Sequence, residues 1–379
     1  MIEKSTDITL NASPGSRPGG TELWRVVRQP IRPTLARNEI HLWCAPPDEF
    51  ISAVPEFYRV LSPAERTRAQ SFQFPKDRDR FLIQWGLLRH LLSGYLTVAP
   101  AELEFVRGPF GKPELAAAPS ENSPDESAHK APEPGEVGRV TPCAPFRKPS
   151  APFHASGAQR TARPTFLRFM GSLLSIFQMH WDHEPRDRSA EHRLGVLQER
   201  FGNWPRRCSA LRVQGKAQLH FNLSHSHSLA LYAFSHATAV GVDIERIGPM
   251  ADLESIARNF FTPRETAALA ALPDASRLEA FFNCWTRKEA ILKATGQGIR
   301  EGVDGVEVNV ATDEPARVLS LKGDAAAARG WSLHSLQPAT GYAAALAYQG
   351  PELKLVCHAL HPEMPGSAFF QPVNSVQVG

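Results

Sequence analysis

The chain has 379 residues, of which 42% are hydrophobic and 21% charged, with a formal net charge of +3. That composition is globular and excludes a wholly disordered chain, a collagen-like repeat and a disulfide-stapled mini-protein. The length allows two or three domains, or one domain with insertions, and the charge is too small to argue for a nucleic-acid partner. No apolar run approaches the roughly 20 residues of a membrane span; the pieces at 81–88 and 166–179 are short or interrupted. The N-terminus has no apolar core after a basic start, so no secretory signal is read there. Cys44, Cys143, Cys208, Cys284 and Cys357 are widely spaced with no CxxC pair. This fits single thiols in a reducing cytoplasm.

Residues 1–37 read as a polar, disordered leader punctuated by Pro and Gly. Order is expected from about residue 38, with a strand over 39–43. Ser62-Pro63-Ala64-Glu65 starts a helix: Ser at the N-cap, Pro at the first helical position, Glu three residues after the cap. A second helical pattern covers 76–96, with Phe81, Trp85, Leu88 and Leu92 on one face. These are expected core residues. Residues 116–164 hold nine prolines and read as a disordered or extended linker. Across 116–217 there are 15 Lys and Arg against 10 Asp and Glu. The basicity therefore belongs to this segment, and the rest of the chain is slightly acidic. His180, Asp182, His183 and His192 lie there without a second ligand set at recognisable spacing, so a solvated insert is read instead of a metal site.

Globular patterning returns after residue 217. Strands are expected over 219–223 and 229–234, flanking Ser224-His225-Ser226-His227-Ser228. Another apolar strand covers 239–244 and ends in charge. Thr262-Pro263-Arg264-Glu265 starts a helix, and 276–295 is a long amphipathic helix stopping at Gly296. Residues 306–347 alternate like strands, and 363–379 read as a loose tail. The Ser62 and Thr262 helix starts match at an offset of 200 residues. So do Phe81-x3-Trp85-x3-Arg89 and Phe281-x3-Trp285-x3-Glu289, and Leu92 with Leu292. Such a repeat points to two related halves around a pseudo-twofold axis, with a ligand cleft between them.

Three acids carry chemical interest. Asp243 and Glu245 lie two apart at a strand end, so both carboxylates share a face. Glu289 lies four residues from both Trp285 and Lys293 on the long helix, hence on the same face as each. Hard cations such as Mg²⁺ take oxygen ligands, often a few carboxylates plus substrate phosphates. The same spacing also describes a solvated strand end and an ordinary helix ion pair.

The surrounding motifs go further. Phe221-Asn222-Leu223-Ser224-His225-Ser226, then Val240-Gly241-Val242-Asp243-Ile244-Glu245, then Trp285-Thr286-Arg287-Lys288-Glu289-Ala290-Ile291-Leu292-Lys293 occur in order. Together they resemble the 4′-phosphopantetheinyl transferases, and among these the larger, two-halved, Sfp-type enzymes. Upstream, Ser62-Pro63, the basic run 66–80 and Gly111-Lys112-Pro113 resemble the family's first half. The resemblance covers about 38–115 and 218–362.

The resemblance implies an enzyme that moves the phosphopantetheine arm of coenzyme A onto a serine of an apo acyl or peptidyl carrier protein, releasing adenosine 3′,5′-bisphosphate. It implies that Asp243, Glu245 and Glu289 hold Mg²⁺ and that Lys293 and Lys288 neutralise phosphate. Either Glu289 or a metal-bound water that it orients takes the serine proton. Ser224 and His225 match the family's coenzyme A phosphate segment. Lys112 matches a nucleotide contact, and Arg68 and Arg80 match positions holding the 3′-phosphate. One basic position of the family is Glu65 here. A different class of reading is a catalytically impaired homologue, acting only as a carrier-protein or nucleic-acid binding module, with the long insert as its motive. A metal-dependent nuclease would need a basic groove that the acidic body does not supply.

The expected fold is therefore α+β, with two similar halves that each pack a long helix on a small antiparallel sheet. The first half is expected at 38–237, with 116–217 looped out, and the second at 238–362. The protein is expected to be a cytoplasmic monomer whose site lies between the halves. The carrier and its pathway are not legible in the chain.

Overall fold

The computed structural model describes residues 24–27, 32–107, 113–115, 218–296 and 302–361. The first described strand, β1 (Arg25–Val27), lies inside the stretch expected to be a leader. It is followed by β2 (Glu39–Ala45), a 3-10 segment (Pro47–Ala53), α1 (Val54–Val60) and α2 (Pro63–Gln70). Next come α3 (Pro75–Leu96), the paired strands β3 (Phe105–Arg107) and β4 (Pro113–Leu115), then β5 (His220–Ser226) and β6 (Leu229–Ser235).

A second series has the same order: β7 (Val240–Arg246), α4 (Leu253–Phe260), α5 (Pro263–Ala271) and α6 (Asp274–Thr295). It continues with β8 (Val306–Val308), β9 (Val318–Leu321), the short α7 (Ala325–Ala328), β10 (Trp331–Leu336) and β11 (Tyr342–Gln349). The chain then adds β12 (Lys354–Leu360).

Local chemistry sets the helix starts. Ser62 and Thr262 each form a complete capping box with Glu65 and Glu265, and Pro63 and Pro263 open the two helices. Both long helices run 22 residues, and each ends on a left-handed residue, Thr97 after α3 and Gly296 after α6. Both capping glutamates also reach a buried cation on the long helix. Glu65 pairs with Arg89 and Glu265 with Lys288. The partner spacing is 24 residues in the first case and 23 in the second. The two long helices thus slip by one residue in this role: Arg89, matched by sequence offset to Glu289, has its ion-pairing counterpart in Lys288.

The strands form a five-stranded sheet in the order β1-β12-β2-β6-β5 and a three-stranded sheet in the order β10-β11-β7. The trio β2-β6-β5 and the trio β7-β11-β10 have equivalent pairing, all antiparallel. The first sheet is not purely antiparallel as expected. β12, which by position follows the second series, lies parallel between β1 and β2. A three-residue strand in a Pro-punctuated leader carries too little periodicity to be read ahead of its partner.

Alternation along the strands makes a layered molecule. Trp43, Ala45, Tyr232 and Phe234 face a core shared with α3. Ile40, Leu42, Leu231, Val242, Ile244 and Leu346 face an intersheet core. Ala343, Ala345 and Ala347 of β11 face α6. On β7 the residue facing that helix is Gly241. A Cβ there would lie 2.0 Å from the Ala290 carbonyl oxygen. Only glycine allows α6 to lie so close to β7, which brings the α6 side chains onto the strand end.

Candidate active site

β5 is an edge strand of the first sheet and β7 an edge strand of the second. An edge leaves backbone groups without ladder partners. Side chains of β5 satisfy two of them on β7. Val242 N donates to Asn222 Oδ1 at 2.8 Å, and Arg246 N donates to Ser226 Oγ at 3.1 Å. Between them, Ser224 Oγ donates to Asp243 Oδ1 at 2.9 Å. Ser226 Oγ donates to Glu245 Oε2 at 2.7 Å. Asn222, Ser224 and Ser226 are spaced by two and form a polar seam joining the sheets.

Asp243, Glu245 and Glu289 are all buried. Lys293 Nζ donates to Asp243 Oδ1 at 2.6 Å and to Ser224 Oγ at 2.9 Å. Burial raises the Asp243 pKa, with Lys293 opposing the rise. Burial pushes Glu245 up to about 8, helped by the charges of Asp243 and Glu289. Burial and then Asp243 push Glu289 up to about 8. Asp243 Oδ2 and Glu289 Oε1 are buried with no hydrogen-bond partner. Among the described residues no three His, Cys, Asp or Glu side chains converge into a ready metal cage.

A basic side adjoins these acids. His225 follows Ser224 on β5, pointing to the opposite face, and its pKa is lowered to about 4. Burial is the main cause, followed by the positive charges of Lys293 and Arg80. Arg80, in the second turn of α3, is held by Asp48. Its charge also reaches His227, which occupies the β5–β6 turn at φ 54°. Arg246 Nη1 lies 2.6 Å from His227 Nε2. Tyr342, at the start of β11, meets Ser228 of the same turn through its hydroxyl at 2.8 Å. Acids from the second series and basic groups from the first therefore meet where β5 runs alongside β7.

Comparison with known proteins gives this arrangement a family. The model of the 4′-phosphopantetheinyl transferase superfamily matches residues 239–347, which hold β7, α6 and all three acids. The 4′-phosphopantetheinyl transferase HetI of Nostoc sp. is 30% identical over 322 residues, covering 85% of this chain and 92% of the relative. The chain belongs to the 4′-phosphopantetheinyl transferase superfamily. Shorter matches include the 4′-phosphopantetheinyl transferase Sfp of Bacillus subtilis, 34% identical over 94 residues (25% of this chain, 41% of the relative). The 4′-phosphopantetheinyl transferase AcpT of Salmonella typhimurium is 42% identical over 80 residues (21% of this chain, 42% of the relative).

Of the residues that the superfamily resemblance singled out, the structure gathers Asp243, Glu245, Glu289, Lys293, Ser224, His225 and Arg80 around the seam. It places Lys288 elsewhere. That ammonium is wholly buried against Glu265, which also accepts from Val308 N, so it is a structural cation and no phosphate contact. Neighbours on a helix point about 100° apart, so Glu289 faces the site while Lys288 faces α5. Ser224 is a buried donor to Asp243 and not an open loop serine, because residues 224–226 belong to β5. Arg68 stays at its own helix end, bonded to Ser71 Oγ and over the Phe72 ring. Glu65, the departure from the family pattern, caps α2 and pairs with Arg89. Lys112 lies outside the described residues, as do 116–217 and the tail after 361. Asn222 and Ser226 fell inside the quoted motif without an assigned role, and Asp48 and Tyr342 were not singled out. The period-two polar run Asn-x-Ser-x-Ser was the available signal for the first two.

Proposed function

We propose that this chain transfers the 4′-phosphopantetheine arm of coenzyme A to a serine hydroxyl of an apo acyl or peptidyl carrier protein. The observation that carries the reading is the cluster of three buried carboxylates, two with unpartnered oxygens, joined to Lys293 in a superfamily member. Burying such charges is costly unless a cation compensates them. Their chemistry suits Mg²⁺, which takes oxygen ligands, keeps several waters and is completed by substrate phosphates. Asp243, Glu245 and Glu289 would hold it. When bound, the ion neutralises charge on the pyrophosphate.

The chain's own residues do the rest. Lys293 balances Asp243 and lies one helical turn beyond Glu289, toward the incoming phosphates. Arg80 and neutral His225 line the phosphate side. The serine oxygen attacks the phosphorus bearing the pantetheine arm, that P–O bond forms, and the bond to adenosine 3′,5′-bisphosphate breaks. Glu289 takes the serine proton, directly or through a water that it orients.

We also infer that the two matching element series are halves related by a pseudo-twofold axis, divided near residue 237. The equivalent pairing of the strand trios and the paired capping boxes support this. The protein is read as a cytoplasmic monomer. The test is intact-protein mass spectrometry of a panel of apo carrier proteins incubated with this protein, coenzyme A and Mg²⁺. A gain of one phosphopantetheine arm that EDTA abolishes is expected. No gain on any carrier, with coenzyme A binding absent by calorimetry, would overturn the reading.

A further inference from the structure

Asp48 stands in the 3-10 segment after β2, outside every motif named above. Its two carboxylate oxygens accept from Arg80 Nε and Nη2, both at 2.5 Å. Lys76, one helical turn before Arg80, lies 3.7 Å from the same carboxylate and is well exposed. Arg80 itself is largely buried. The pairing is side-on: it uses one edge of the planar guanidinium. Among the described residues nothing hydrogen-bonds Arg80 Nη1, so within them the edge formed by Nη1 and the second N–H of Nη2 has no partner. The guanidinium lies within electrostatic reach of His225, His227 and Tyr342. It therefore sits where the second turn of α3, the β5–β6 turn and the start of β11 meet.

A guanidinium has donors for two forked contacts, each matching an oxyanion. With one fork fixed by a carboxylate, the other is presented at a set angle. We propose that Asp48 is a positioning residue that locks Arg80 so that its other edge receives a phosphate of coenzyme A. The inference rests on the reading of Arg80 as a phosphate contact. It adds the residue that orients that contact.

Asp48→Asn keeps the shape and removes the charge-assisted fork. Steady-state transfer to an apo carrier should show the KM for coenzyme A raised about tenfold, as loss of a charged hydrogen-bond pair allows, with kcat held. Thermal unfolding of the variant should match the unmodified protein, since Asp48 is partly exposed. A double-mutant cycle separates positioning from a general effect: in an Arg80→Gln background, Asp48→Asn should change the KM no further. An unchanged KM, or the same rise in both backgrounds, would overturn the proposal. Absence of transfer by the unmodified protein would instead overturn the transferase reading.

Discussion

Glu245 and Glu289 hold their protons far above the ordinary carboxylate value because burial and the neighbouring Asp243 both oppose ionisation. In the unfolded chain both ionise near 4.5; in the folded protein they do so near 8. Between those values the folded state binds more protons, so stability falls as pH rises. Calorimetry of the metal-free protein should therefore show Tm decreasing from pH 6 to pH 8.5. Added Mg²⁺ should offset the decrease and release protons on binding. A Tm that rises across this range, with no response to Mg²⁺, would show that the cluster is not poised for a cation. Spacing alone set which of these acids share a face, in Asp243-x-Glu245 on a strand and Glu289-x3-Lys293 on a helix, and the family resemblance marked them as a site. Their hydroxyl donors were not legible. Ser224 and Ser226 read as loop residues because a polar strand facing a sheet edge has the same composition as a turn.

Each long helix is anchored by a capping glutamate that also neutralises a buried cation. For Glu265 the partner is Lys288, with both side chains almost fully excluded from solvent. Removing one member of such a pair leaves the other buried and uncompensated, at about 3–5 kcal/mol. Lys288→Ala should lose that much stability in urea unfolding. A phosphate-binding lysine would instead show unchanged stability and a raised KM. The capping boxes were plain in the sequence because every bond of a box falls within four residues. The ion pairs were not, because nothing in the spacing of residues 265 and 288 reveals that one side chain turns inward while its neighbour Glu289 faces the site. Gly241 is a related case: as a glycine it was visible, but its role depends on a helix arriving from fifty residues downstream.

The two sheets share one core, and β12 ties the end of the described chain back to the first sheet. Its position between β1 and β2 places His358 against the Trp43 ring, with centroids 4.2 Å apart. Truncation after Glu352 would strip two parallel pairings and expose the edge of β2, an aggregation surface. The truncated protein should be recovered as insoluble or unfolded material, whereas a soluble, cooperatively folding product would show β12 to be dispensable. At this scale the doubled helix starts were legible from patterning, and the α+β class followed from the family resemblance. The return of β12 was not legible, since a parallel neighbour more than three hundred residues away leaves no local mark. Among the described residues no helix is long and apolar enough to cross a membrane, and Cys44, Cys284 and Cys357 are buried free thiols.

In the proposed function the buried carboxylates at the β5–β7 seam perform the transfer. Glu289→Gln tests this most directly, since the amide preserves size and removes both the charge and the base. The measurement is the rate of phosphopantetheine mass gain on an apo carrier protein, compared between the variant and the unmodified protein under saturating coenzyme A and Mg²⁺. The expected result is a folded variant whose rate falls by about 10²–10⁴-fold, the usual contribution of a positioned acid–base group. A variant that modifies the carrier at the unmodified rate would contradict the account.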